Sequence, residues 1–147
     1  MRGAARQHSR ASRYVRHCAS IVLPQWRITL SVHPPEDAPA EVSVDTELRV
    51  AEMFLGPEFY EGTEQYQREL VGHELIHCPL AALEQPLEDL EDWLKSQQGM
   101  LGMFGPPSMP LSTVQILRTS YRRLEETCVQ ILTNSVVHAL PLPGEIK

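Results

Sequence analysis

From Gln25 onward the chain alternates apolar and polar positions: Trp26, Ile28, Leu30 and Val32 interleave with Arg27, Thr29 and Ser31. A period of two sends successive side chains to opposite faces, so this run predicts a half-buried strand, ended by His33-Pro34-Pro35. A second short strand is expected at residues 41–44 and a third within 48–55, stopped by Gly56-Pro57. Together they predict a small three-stranded sheet, mixed or antiparallel.

Past Gly62 the period becomes helical. Gly62-Thr63-Glu64 offers a hydroxyl cap followed by an acid in the first turn, where it meets the positive end of the helix dipole. Tyr66, Leu70, His73, His77 and Leu80 then fall on one stripe, and Val71, Leu75, Cys78 and Ala82 on roughly the opposite one. A helix apolar on two sides is a buried helix. Pro79 has no N–H and its ring collides with the carbonyl of Leu75, so a kink or an early end is expected just past His77. Pro86 opens a further helix, with Leu87, Leu90 and Leu94 inward and Glu88, Asp89, Glu91 and Asp92 on a solvated face. Residues 97–111, rich in Gly, Met and Pro, read as a long apolar loop, either a cleft cover or plain packing. The last helix is expected from near Ser112 through the 130s, with Val114, Leu117, Tyr121, Leu124, Cys128, Ile131 and Ser135 inward. Ahead of the sheet, the segment to about Cys18 predicts a helix whose apolar side is thin: Tyr14, Val15 and a few alanines.

Composition narrows this picture. A chain of 147 residues with 42% hydrophobic and 22% charged side chains suits one globular core, in an α+β arrangement: a basic arm or helix over 1–24, one domain over 25–140, and a tail over 141–147. The net charge of −6 is unevenly spread. Residues 1–17 hold Arg2, Arg6, Arg10, Arg13 and Arg16 and no acid, whereas the remainder has 8 basic against 19 acidic groups. The acidic body argues against nucleic acid as a ligand, because phosphate binding rests on clustered Lys and Arg. The Arg-rich start reads as a basic arm, a targeting segment or the solvated face of a helix. No apolar run is long enough for a membrane span or a signal-peptide core, and Cys18, Cys78 and Cys128 form neither an even set nor a CxxC pair. A reducing cell interior, the cytoplasm, is the expected home.

The candidate chemistry lies in His73-Glu74-Leu75-Ile76-His77. On a helix, residues four apart stand one above the other, so both imidazoles can reach one metal ion, while Glu74, rotated by about 100°, can reach a water in the ion's open position. That is the position of a general base. Zinc in a hydrolytic site takes three protein ligands and keeps one position open. The third ligand is expected from the last helix: Glu125, near the edge of the inward stripe, with Glu126 as the alternative. His8, His17, His33 and His138 sit in no context that points inward. Leu80 and Leu83 stand where a metzincin would need glycine and histidine, which excludes that class.

The motif followed by a later helical glutamate resembles the zincin metallopeptidases of the gluzincin branch. More closely, Trp26-Arg27-Ile28-Thr29-Leu30, then Leu70-Val71-Gly72-His73-Glu74-Leu75-Ile76-His77, then Leu124-Glu125-Glu126, resembles small uncharacterised zincin-like proteins common in phage and prophage genomes. The resemblance spans roughly residues 25–135. It implies a minimal zincin-like domain, a sheet packed on the motif helix and on a glutamate-bearing C-terminal helix. It further implies His73, His77 and Glu125 as zinc ligands, Glu74 as the base, and a peptide or protein substrate lying beside an edge strand, for which residues 51–55 are the expectation. Tyr121, Arg118, Arg122 and His138 are the candidates for an oxyanion helper. The rival expectation keeps the metal and drops the chemistry, as an interaction or regulatory module; another has no metal at all, as a small phage structural protein. Substrate and oligomeric state have no signature in the sequence.

Overall fold

The computed structural model describes residues 2–35, 37–98 and 111–146, with the side chains of 2–4, 97 and 98 also set aside. Four helices and a three-stranded sheet occur among them: α1 (Arg2–Val22), β1 (Arg27–Leu30), β2 (Ala40–Asp45), β3 (Val50–Leu55), α2 (Pro57–Glu61), α3 (Glu64–Gln98) and α4 (Leu111–Val136), followed by single 3₁₀ turns at Val137–Ala139 and Pro143–Glu145. The α+β expectation holds. The expected apolar loop at 97–111 falls almost wholly outside the described residues.

The chain forms two compact units, one of residues 1–79 with 129–147 and the other of residues 80–128. In the first, the sheet order is β1-β3-β2, with β1 parallel to β3 and β2 antiparallel to it. The sheet is therefore mixed. Arg27 pairs with Val50 and Leu30 with Met53, while Val42 and Val44 stand opposite Met53 and Ala51. β3 is the central strand, so the expectation that residues 51–55 offer an edge to a substrate is corrected: both sides of β3 are already paired, and the free edges belong to β1 and β2.

The period-two reading places Ile28 in the core, but β1 ends at Leu30 and Val32, expected on the same face, is exposed. Ile28, Ala51, Met53 and Leu55 are buried in one cluster with Val71, Leu75 and Cys78 of α3. Burial of each of the larger side chains, Ile28, Met53, Leu55, Val71 and Leu75, contributes roughly 1.5–3 kcal/mol relative to exposure. α1 contributes more than its composition suggests: Ala11, Tyr14, Val15, Cys18 and Ala19, spaced at three and four residues, join the same cluster, while Arg6, Arg10, Arg13 and Arg16 are exposed. The Tyr14 hydroxyl donates to the carbonyl of Pro141 across 3.1 Å and ties the C-terminal segment to α1.

α3 begins as its sequence predicts: the backbone N–H of Tyr66 donates to Thr63 Oγ1 at 3.2 Å. It does not end where Pro79 predicts. The helix runs unbroken for 35 residues through both Pro79 and Pro86. Both prolines are on the exposed side, where a ring displaces no neighbouring element; Ala82, whose carbonyl Pro86 leaves without an N–H partner, is exposed as well, whereas Leu75, the corresponding residue for Pro79, is fully buried. Pro79 still marks a boundary, because the two compact units divide between it and Leu80.

The second unit pairs the C-terminal part of α3 with the N-terminal part of α4, and here two expectations are corrected. The acidic face of α3 is not simply solvated: the guanidinium of Arg118 binds Glu84 at 3.1 Å, Glu88 at 2.5 Å and Glu91 at 2.8 Å, and Glu91 is buried. On α4, Val114 is buried as predicted, but Leu117, Leu124 and Ile131 are exposed, as are Cys128 and Ser135. The buried or half-buried stripe is instead Val114, Arg118, Tyr121, Glu125, Val129 and Thr133. Ion pairing rotates the helix: satisfying Arg118 against three carboxylates outweighs burying Leu117, since a buried carboxylate such as Glu91 without a partner is costly.

Among the described residues no helix is long and apolar enough to cross a membrane.

Candidate metal centre

His73 and His77 project from the part of α3 that lies within the first unit. Val71, Leu75 and Cys78, on the far side of that helix, are fully buried, so the helix is locked in rotation and its imidazoles are held on the opposite face, half-buried. Their Nε2 atoms approach to 3.2 Å, with ring centroids 4.9 Å apart and ring planes at 70°. The two ring nitrogens that four-residue spacing should aim at one ion do converge. At the 2.0–2.1 Å of zinc–nitrogen bonds, a separation of 3.2 Å subtends about 100–105° at a shared ion, close to the tetrahedral angle. The donor pair can therefore share one metal ion at that bond length.

Glu74 is only 7% exposed. One residue on from His73, it points between the imidazole stripe and the core stripe, on the side of Cys78. Burial, and then the nearby Glu74 carboxylate, push the Cys78 thiol up to about 12. The Cys78 Sγ lies 3.7 Å from the Glu74 carbonyl oxygen. A protonated, inert thiol is thus the neighbour of Glu74, and Cys78 is removed from consideration as a thiolate ligand or nucleophile.

Gly72, immediately before His73, faces the C-terminal segments of the same unit. A β-carbon there would stand 3.3 Å from Leu140 Cδ1 and 3.7 Å from Thr133 Cγ2. Glycine lets α4 and Leu140 come close to α3 beside the first imidazole. In the sequence this contact shows only as a glycine in a helix interior.

Glu125 and Glu126 belong to the second unit, half-buried and exposed respectively. Three of the four candidate helpers lie in that unit, each engaged by a protein partner. The Tyr121 hydroxyl donates to the Leu80 carbonyl at 3.1 Å, and its pKa is raised by burial and then by Glu125. Arg118 is held by three carboxylates and Arg122 by Glu84 at 2.7 Å. His138 lies in the first unit, exposed on a 3₁₀ turn. Of the other histidines, His8 and His33 line an open hollow of about 720 Å³ with Ser31, Tyr60 and Glu61, at the end of β1. They do not join the His73–His77 pair.

No known protein family, curated protein or solved structure matches this chain.

Proposed function

We propose that the protein is a zinc-dependent hydrolase, acting on peptide bonds, in which His73, His77 and a carboxylate of α4 hold the metal and Glu74 is the general base. The observation that carries this reading is the convergence of the two Nε2 atoms to 3.2 Å with a buried glutamate between them in sequence. Two histidines and a carboxylate form a donor set suited to zinc, and a bound zinc would polarise a carbonyl and acidify its water toward a pKa of about 7.

For the third ligand, α4 offers Glu125 and Glu126, which differ in their facing on the helix. Thr133 is the α4 residue beside Gly72, and Glu126 precedes it by seven residues, two turns, on the same face. Glu125, eight residues before, is rotated by about 80° toward Tyr121. His73 and His77 with a glutamate of α4, Glu125 or its neighbour Glu126, are the proposed ligand set. Glu74 takes a proton from the attacking water and returns it to the leaving amine, a role that requires hydrogen-bond reach and a carboxylate shielded from bulk water.

The non-catalytic alternative, a metal-locked interaction module, draws support from one observation: Tyr121, Arg118 and Arg122 are all committed to protein partners, which leaves His138 as the remaining helper named above. Glu74→Gln separates the two readings. In a hydrolase it retains zinc and lowers kcat by roughly 10²–10⁴-fold on a casein or mixed-peptide substrate. A zinc-bound parent with no hydrolysis above the Glu74→Gln background supports the module and sinks the hydrolase.

A further inference from the structure

Thr133 is 2% exposed, and its Oγ1 has no hydrogen-bond partner among the described residues. This sets it apart from its neighbours on α4. The hydroxyls of Thr119, Thr127 and Ser135 each donate to the carbonyl four residues earlier at 2.9 Å, the usual resting place for a helical hydroxyl. Thr133 forgoes that bond, and it does so where its γ-methyl lies beside Gly72, next to His73. A buried hydroxyl left unpaired is unfavourable, by roughly 1–3 kcal/mol, and such groups are rare enough that each needs a physical account.

We infer that Thr133 is a positioning residue for the metal centre, its hydroxyl completing the polar shell of the His73–His77 pair through a bridging water. The inference rests on the metal reading above. Metal-bound imidazoles depend on outer hydrogen bonds that fix ring orientation, and Thr133 is the fully buried threonine whose side chain α4 brings against Gly72 of α3. Valine at the same position preserves shape and removes only the hydroxyl, so the two roles separate cleanly.

The test is calorimetric titration of zinc into the metal-free parent, Thr133→Val and Thr133→Ser, with chemical denaturation of each metal-free protein alongside. The positioning role predicts zinc affinity about 10–100-fold weaker in Thr133→Val and within a few-fold of the parent in Thr133→Ser, while metal-free Thr133→Val is at least as stable as the parent. Equal zinc affinity in the parent and Thr133→Val overturns the inference and leaves the metal reading standing. Weakened affinity in Thr133→Val and Thr133→Ser alike also overturns it, since the hydroxyl is then not the cause. A parent that binds no zinc ends the metal reading first, and the positioning role with it.

Discussion

Gly72 and Leu140 meet so closely that a β-carbon on Gly72 would stand 3.3 Å from Leu140 Cδ1. Glycine inside a helix is unfavourable by about 1 kcal/mol relative to alanine, so its presence here reflects the contact. Gly72→Ala is expected to be near neutral, the gain in helix propensity offset by a shift of a few tenths of an ångström in Leu140. Gly72→Val adds two further carbons against Leu140 and Thr133 and is expected to destabilise by roughly 1–3 kcal/mol. Urea denaturation of the two variants checks this; equal stability of Gly72→Val and the parent would show that α4 is not held against Gly72.

The carboxylates around Arg118 predict a pH dependence. Burial alone would raise the pKa of Glu84, but hydrogen bonds from Arg122 and Arg118 outweigh it and hold the group below its ordinary 4.5. Glu91 is also held below 4.5, first by its hydrogen bond with Lys95 and then by Arg118. A folded-state pKa depressed below the unfolded value contributes stability that is present above the unfolded pKa and is lost as pH falls through the folded one. Thermal melts of the parent should therefore weaken from about pH 4.5 downward. Arg118→Met is expected to lower Tm at pH 7 by roughly 5 °C and by less at pH 3, toward which the carboxylates are progressively protonated. An equal loss at both pH values would contradict the ion-pair account.

Thiol reactivity tests the burial of α1 and α3 together. Cys18 and Cys78 are buried, with burial as the main cause pushing their thiols up to about 11 and about 12, whereas Cys128 is exposed on α4. Thiolate is the reactive form, so an aromatic disulfide reagent at pH 8 should titrate Cys128 quickly and the other two only on unfolding. Fast reaction of Cys78 would mean that the core face of the motif helix is open.

What the sequence made legible, and what it did not, follows from the range of the interactions concerned. Alternation at Ile28 and Leu30 and the two-sided pattern around Val71 and Leu75 are local, and the three strands and the start of the motif helix with its Thr63 cap emerge as predicted. The rotation of α4 is not local. Val114, Leu117, Tyr121 and Leu124 form a regular apolar stripe, yet the helix turns Arg118 inward because Glu84, Glu88 and Glu91 await it on α3. Pro79 misleads for a related reason: the penalty of a helical proline is fixed by its surroundings, and an exposed position lowers it. Within the candidate site, four-residue spacing alone foretold the meeting of His73 and His77.

The central claim is that His73 and His77 bind zinc, and metal analysis of the purified protein after dialysis against trace zinc tests it most directly. The account predicts close to one equivalent of zinc per chain, retained by Glu74→Gln and lost in His73→Ala and in His77→Ala, with helical content kept in all. Less than about a tenth of an equivalent in the parent, unchanged by His73→Ala, would contradict it.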